Sequence, residues 1–255
     1  MKNFLDRTTL LIIASAFIMV LLCISTASRD IFPFWVIRRG AFVGDALFHE
    51  MGHTLFYWLF GQPAIPMIFT FFGSDQAGGM SMPLMERNWF MQIAMFAVLA
   101  YGCYWVRKNY PKLFIATIIF SLLIFAVAFT RYTPIVIAYM GHGSSILVGG
   151  FLLFRTWIYL DARNQYERWL NAFLGFYLIL SNLCFSYNLA FNPVTRGGYD
   201  DHIAFGASHN DFWMMAMEMP GWSVKGIAIF TIGYCLAAII GSFILAMYLN
   251  DAFEE

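Results

Sequence analysis

The sequence predicts an all-α polytopic membrane protein with about seven transmembrane helices and a short re-entrant or hairpin segment after the second. Three observations carry this. Of 255 residues, 60% are hydrophobic and 12% charged, about half the charged share of a soluble domain. The apolar residues gather in runs of about 20, enough at 1.5 Å per residue to cross a ~30 Å hydrocarbon core. The tryptophans lie mostly near the run ends, among them Trp58, Trp89 and Trp169, as an interfacial aromatic belt requires. A chain this poor in charge could not clothe a water-facing surface, so lipid is its natural solvent.

The first span covers residues 9–26, TLLIIASAFIMVLLCIST, after Lys2 and Arg7. Its pattern also fits a signal peptide; it is read as a retained helix. The second covers 41–60, AFVGDALFHEMGHTLFYWLF, and is ended by Gly61, Gln62 and Pro63. The apolar stretch 64–73 and the SDQAGGMSMP that follows are too short to span as a helix. Phe, Ile and Thr with flanking Gly and Pro predict a strand or re-entrant hairpin over 64–83. Such backbone survives at membrane depth only when covered by protein or lining a cavity. Further spans are expected at 89–106, 113–130, 135–154, 170–190 and 226–248, with a long loop over 191–225. There is no internal repeat, so residues 1–255 form a single transmembrane helical domain, an integral multi-pass protein surrounded by membrane lipids. Lys and Arg divide too evenly between the two sides to fix an orientation.

Fifteen basic and fifteen acidic residues cancel, which argues against a nucleic-acid partner. Cys23, Cys103, Cys184 and Cys235 each sit inside an apolar run without a CxxC pair. They read as small buried hydrophobes.

The chemistry concentrates in the second span, which contains His49-Glu50-Met51-Gly52-His53. The i, i+4 spacing stacks His49 and His53 on one helix face. Both imidazoles can then grip one Zn²⁺, the expected cofactor, while Glu50 serves as catalytic general base toward water. Asp45, a turn before His49, is placed to accept from its non-ligating nitrogen. Each charge at the bilayer centre costs roughly 2.5–3.5 kcal/mol on insertion scales. Asp45, His49, Glu50 and His53 on one apolar helix therefore point to a shared task, although a structural polar cluster between helices would also satisfy them.

The wider stretch HEMGHTLFYWLFG resembles the site-2 protease family of intramembrane zinc metallopeptidases. Members carry HExGH in a membrane helix, then a glycine, then a membrane-associated hairpin; Gly52, Gly61 and the 64–83 stretch stand in that order. The resemblance implies zinc-dependent hydrolysis of peptide bonds in membrane-embedded protein substrates. The family's second motif is an Asn-Pro-rich stretch ending in Asp-Gly, whose Asp is the third zinc ligand. This chain has Asn188-Leu189 and Asn192-Pro193, then GGYDDH over 197–202, without the Asp-Gly order.

A catalytic zinc takes three protein ligands and keeps one position open. Only five histidines exist. His142 ranks first as third metal ligand, because Gly141, Gly143, Ser145 and Gly149 make a small-residue surface on which it faces protein. Asp201 or His202 are the alternates, and His209 comes third. The late loop, with Asp200, Asp201, His202, His209 and Asp211, could fold back over the site. A substrate helix must unwind before cleavage. The 64–72 stretch could receive it by strand addition, with Gly73, Gly78 and Gly79 supplying turns and water arriving between spans 2 and 5. Two other classes stay open. One is a lipid-amide hydrolase resembling the alkaline ceramidases, which however carry HxxxH late in the chain without the paired Glu. The other is a non-enzymatic metal-binding subunit of a membrane complex, which would have no need of Glu50.

Overall fold

The computed structural model describes residues 6–25, 31–70, 77–158, 164–201 and 210–253. Asp6 starts α1 (Arg7–Ile24) by accepting the Thr9 amide on its side chain at 2.7 Å, a conventional N-cap. Helix α2 (Phe34–Leu59) begins seven residues before the predicted span and ends at Gly61, whose φ of 81° suits glycine. Strands β1 (Ala64–Thr70) and β2 (Ala77–Pro83) follow as an antiparallel hairpin in the register Ala64↔Pro83 to Thr70↔Ala77. The expected hairpin is therefore present. Gly78 and Gly79 lie inside β2, opposite Phe69 and Ile68, instead of forming a turn. Gly73 lies outside the described residues.

Asn88 caps α3 (Trp89–Asn109) through the Met91 amide at 3.1 Å. A 3₁₀ turn (Pro111–Leu113) leads into α4 (Phe114–Val127), then α5 (Thr133–Ile158) and α6 (Gln165–Phe191), the latter capped by Asn164. The predicted late loop instead carries two short helices, α7 (Pro193–Asp201) and α8 (Asp211–Glu218), before α9 (Val224–Phe253). Pro193 suits a first helical position, and the apolar FWMMAM run buries one face of α8.

Each of the seven predicted spans coincides with a helix. Among the described residues, five are long and apolar enough to cross a membrane: α1, α3, α5, α6 and Val224–Leu249 of α9. Helix α2 has the length, but its polar residues set it apart. At 14 residues, α4 reaches about 21 Å at 1.5 Å per residue, short of the hydrocarbon thickness. Large apolar side chains point outward along α1, α3, α4 and α9, including Leu11, Phe90, Ile115 and Ile240. In water this would be an unusually large apolar surface; against lipid it costs nothing.

Helix α5 is the central element. Its buried residues include Ala138, Gly141, Ile146, Gly149 and Leu153. One core joins it to α1, α6 and α9 through Ile12, Ala16, Phe176, Ile179 and Cys235. A second joins it to α8 and the start of α9 through Ala138, Leu189, Phe212, Met215 and Ile227. Glycines set the closest crossings. A Cβ at Gly52 of α2 would fall inside 3.0 Å of the Ser144 side chain and the Met140 carbonyl on α5, so α2 and α5 touch backbone to backbone.

Candidate metal centre

Helix periodicity sorts residues 48–54 of α2 onto three adjacent ridges, with the polar side chains on two of them. Residues 48 and 52 lie against α5, where Ser144 Oγ donates to the Phe48 carbonyl at 3.0 Å. Residues 49 and 53 flank that contact and look into the bundle. Residues 50 and 54 face the hairpin.

On the second ridge, His49 Nε2 and His53 Nε2 stand 3.0 Å apart. Asp211 Oδ2 lies 3.0 Å from the first and 3.2 Å from the second, and His142 Nε2 lies 3.9 Å from the same oxygen. Four donors thus converge from α2, α5 and α8. Donors bound to one zinc at about 2.0–2.2 Å in a tetrahedron sit roughly 3.3–3.5 Å apart, close to the separations found. Space for this comes from Gly141 of α5. A Cβ there would fall inside 3.0 Å of His53 Nε2, His49 Cε1 and His49 Nε2.

Outer partners fix the rings. His53 Nδ1 lies 2.7 Å from the Ile137 carbonyl, which can only accept, so Nδ1 carries the proton and Nε2 is left for the cluster. His142 Nδ1 donates to Asn182 Oδ1 at 2.7 Å, and Asn182 Nδ2 donates to the Leu178 carbonyl at 2.8 Å. This is how metal-binding imidazoles are usually oriented. Two imidazole nitrogens and a carboxylate oxygen packed this closely in a half-buried site need a positive charge between them, a proton or a cation. The donor set, the vacancy left by glycine and the tied-off Nδ1 atoms all fit a zinc ion.

Asp211 is positioned by its neighbours. Phe212 is fully buried in the α5–α8–α9 core. Its amide donates to the Tyr199 hydroxyl at 3.2 Å, and Asn210 Nδ2 donates to the Tyr199 carbonyl at 2.7 Å. The short helix α7 therefore holds the start of α8 against the cluster.

On the third ridge, Glu50 is 5% exposed and a carboxylate oxygen lies within 4.8 Å of ligand nitrogens of His49 and His53. Ser81 of β2 reaches its Oε2 at 3.0 Å and its carbonyl at 2.7 Å, and Thr54 Oγ1 lies 3.0 Å from Ser81 Oγ. Gly79 lies directly over the Glu50 side chain, which leaves no room for a Cβ. Leu84 N donates to the Pro63 carbonyl at 2.7 Å. By antiparallel alternation, the backbone groups of Ala64 and Pro66 on β1, and of Gly79 and Ser81 on β2, then point away from the partner strand. On β1, Trp58 Nε1 donates to the Ala64 carbonyl at 2.8 Å and Pro66 has no N–H, while Ile68, opposite Gly79, also turns its backbone groups outward. On β2, the outward-turned backbone groups of Gly79 and Ser81 lie beside Glu50.

Of the residues singled out in the sequence, His49, Glu50, His53 and His142 come together. Asp45 does not pair with His49 as expected; it accepts from Ser181 Oγ at 2.8 Å. Asp201 ends α7, with its side chain outside the described residues, as are His202 and His209. Asp211, which the sequence offers only as one of five acidic or imidazole residues in the late loop, is the carboxylate at the centre. Its signal was its place just before an apolar helical run, where buried Phe212 anchors it. Searched against protein-family models, curated proteins and solved structures, the chain matches none of them.

Proposed function

We propose that the protein is a membrane-embedded zinc metalloprotease, with His49, His53 and Asp211 as metal ligands and Glu50 as general base. The observation that supports this most is the pairing of a three-donor cluster with a buried carboxylate one ridge away, the carboxylate lying against Gly79 and Ser81 of β2. A bound zinc ion would supply Lewis acidity toward a carbonyl and acidify water at this point. Glu50 accepts the proton from the attacking water and returns it to the leaving nitrogen. Ser81 orients the carboxylate, and it can donate its single proton to only one acceptor at a time. The β2 edge at Gly79 and Ser81 receives an unwound substrate segment by strand addition. The helix-to-strand conversion exposes the scissile carbonyl, which a substrate helix keeps hydrogen-bonded.

A lipid-amide substrate would need no strand edge, so the hairpin favours a peptide. The test is purified, zinc-loaded protein offered membrane-embedded peptides and ceramide-type lipids, with Glu50→Gln as control. Peptide cleavage that Glu50→Gln abolishes is the expected result. Cleavage of the lipid alone would move the substrate class. Cleavage of neither, with zinc bound, would favour a non-enzymatic metal-binding subunit.

A further inference from the structure

We infer that His142 is a displaceable fourth ligand, which caps the metal centre at rest and must leave before a substrate carbonyl can approach. This rests on a metal at His49, His53 and Asp211, and it concerns how that centre is held latent. A catalytic zinc keeps its fourth position open, whereas a structural one has it filled by protein. Here a fourth donor stands ready. The His142 ring centroid is 4.6 Å from that of His49, and its Nε2 is 3.9 Å from Asp211 Oδ2.

The direction of the ring is set by chemistry as well as by packing. Nδ1 is committed to Asn182 Oδ1, and the Asn182 amide nitrogen to the Leu178 carbonyl. Turning the amide over would set the Asn182 oxygen against the Leu178 carbonyl, and turning the imidazole over would leave Asn182 Oδ1 facing a C–H. Neutral His142 therefore presents a lone pair to the cluster. A lone pair can bind a cation but cannot stabilise a developing oxyanion, so in this seat His142 is a ligand and not a hydrogen-bond donor to substrate. Of the three imidazoles near Asp211 Oδ2, at 3.0, 3.2 and 3.9 Å, His142 is the loosest and the one to leave.

The surrounding walls couple its departure to α8. The ring stacks on Phe185 of α6, with centroids 5.1 Å apart and planes at 14°, and meets Phe212 at 4.7 Å. Phe212 adjoins Asp211. Helix α8 therefore carries a ligand and one wall of the His142 seat, so moving its first turn loosens the cap and repositions the carboxylate together.

The experiment is cobalt substitution of the full chain in detergent, read by visible absorption. The wild type should give a four-coordinate spectrum that added imidazole does not change. His142→Ala should bind cobalt more weakly by at least the roughly 10–100-fold that loss of an outer partner costs, with an altered spectrum that imidazole restores. At saturating zinc its peptide turnover should rise above the wild type, and turnover at or below the wild type would overturn the capping role. Asn182→Leu, which keeps the imidazole but not its orientation, should weaken cobalt by about tenfold; it decides the matter if His142→Ala does not fold. Wild-type affinity and spectrum in either variant would overturn the fourth-ligand assignment. If His49→Ala still loses cobalt in that case, the zinc centre itself stands. Failure of the wild type to take up cobalt would overturn both.

Discussion

Replacing Gly141 by Ala tests the centre without removing any ligand. The added Cβ would come inside 3.0 Å of His53 Nε2 and of Cε1 and Nε2 of His49. Non-bonded carbon contacts are most favourable near 3.5–4.0 Å, so both rings must retreat by roughly 1 Å or more. Metal sites tolerate about 0.2 Å in ligand distance. The rings cannot satisfy both limits unless α2 separates from α5, which the Gly52 crossing resists. Zinc affinity should fall at least about 100-fold, near 2.8 kcal/mol at 1.4 kcal/mol per tenfold. The assay is chelator competition on detergent-purified protein, with thermal unfolding measured alongside. Gly150→Ala is the control, because its Cβ would meet Ala238 at an ordinary 3.5 Å on the same helix. Unchanged zinc affinity in Gly141→Ala would refute the placement of the two histidines against α5.

Three further outcomes follow from the same contacts. Gly79→Ala puts a Cβ on the Glu50 side chain and should lower turnover about 100-fold, as a roughly 1 Å misplacement does, with zinc content unchanged; loss of zinc would contradict it. Ser81→Ala removes the hydroxyl that reaches Glu50 Oε2 at 3.0 Å and should slow turnover about tenfold, comparable to one lost hydrogen bond to a charged group; an unaltered rate would show that Ser81 does not orient the base. Gly52→Ala overpacks the α2–α5 crossing against Ser144 and Met140 and should cost about 1–3 kcal/mol, read as a lowered unfolding temperature; full stability would mean the helices do not cross there.

The helices were legible because lipid imposes a simple rule on composition and length, and the paired histidines because their contact is local to one turn of α2. The hairpin was legible from its short apolar run between Gly and Pro. Asp211 was not, because it meets His53 across 158 residues through a loop in which several carboxylates look alike. Only the tertiary burial of Phe212 selects it. The early start of α2 at Phe34 was hidden by Arg38 and Arg39, which a hydropathy reading treats as the end of a span and a helix accommodates at its polar end. The strand position of Gly78 and Gly79 was hidden because glycine signals turns; here its missing side chain admits Glu50.

The central claim is one zinc site built from α2 and α8. Metal analysis of the detergent-purified wild type beside Asp211→Ala and His49→Ala/His53→Ala tests it most directly. Stoichiometric zinc in the wild type, lost in both variants while all three remain folded, is the predicted result. Zinc retained in either variant, or absent from the wild type after reloading, would contradict the account.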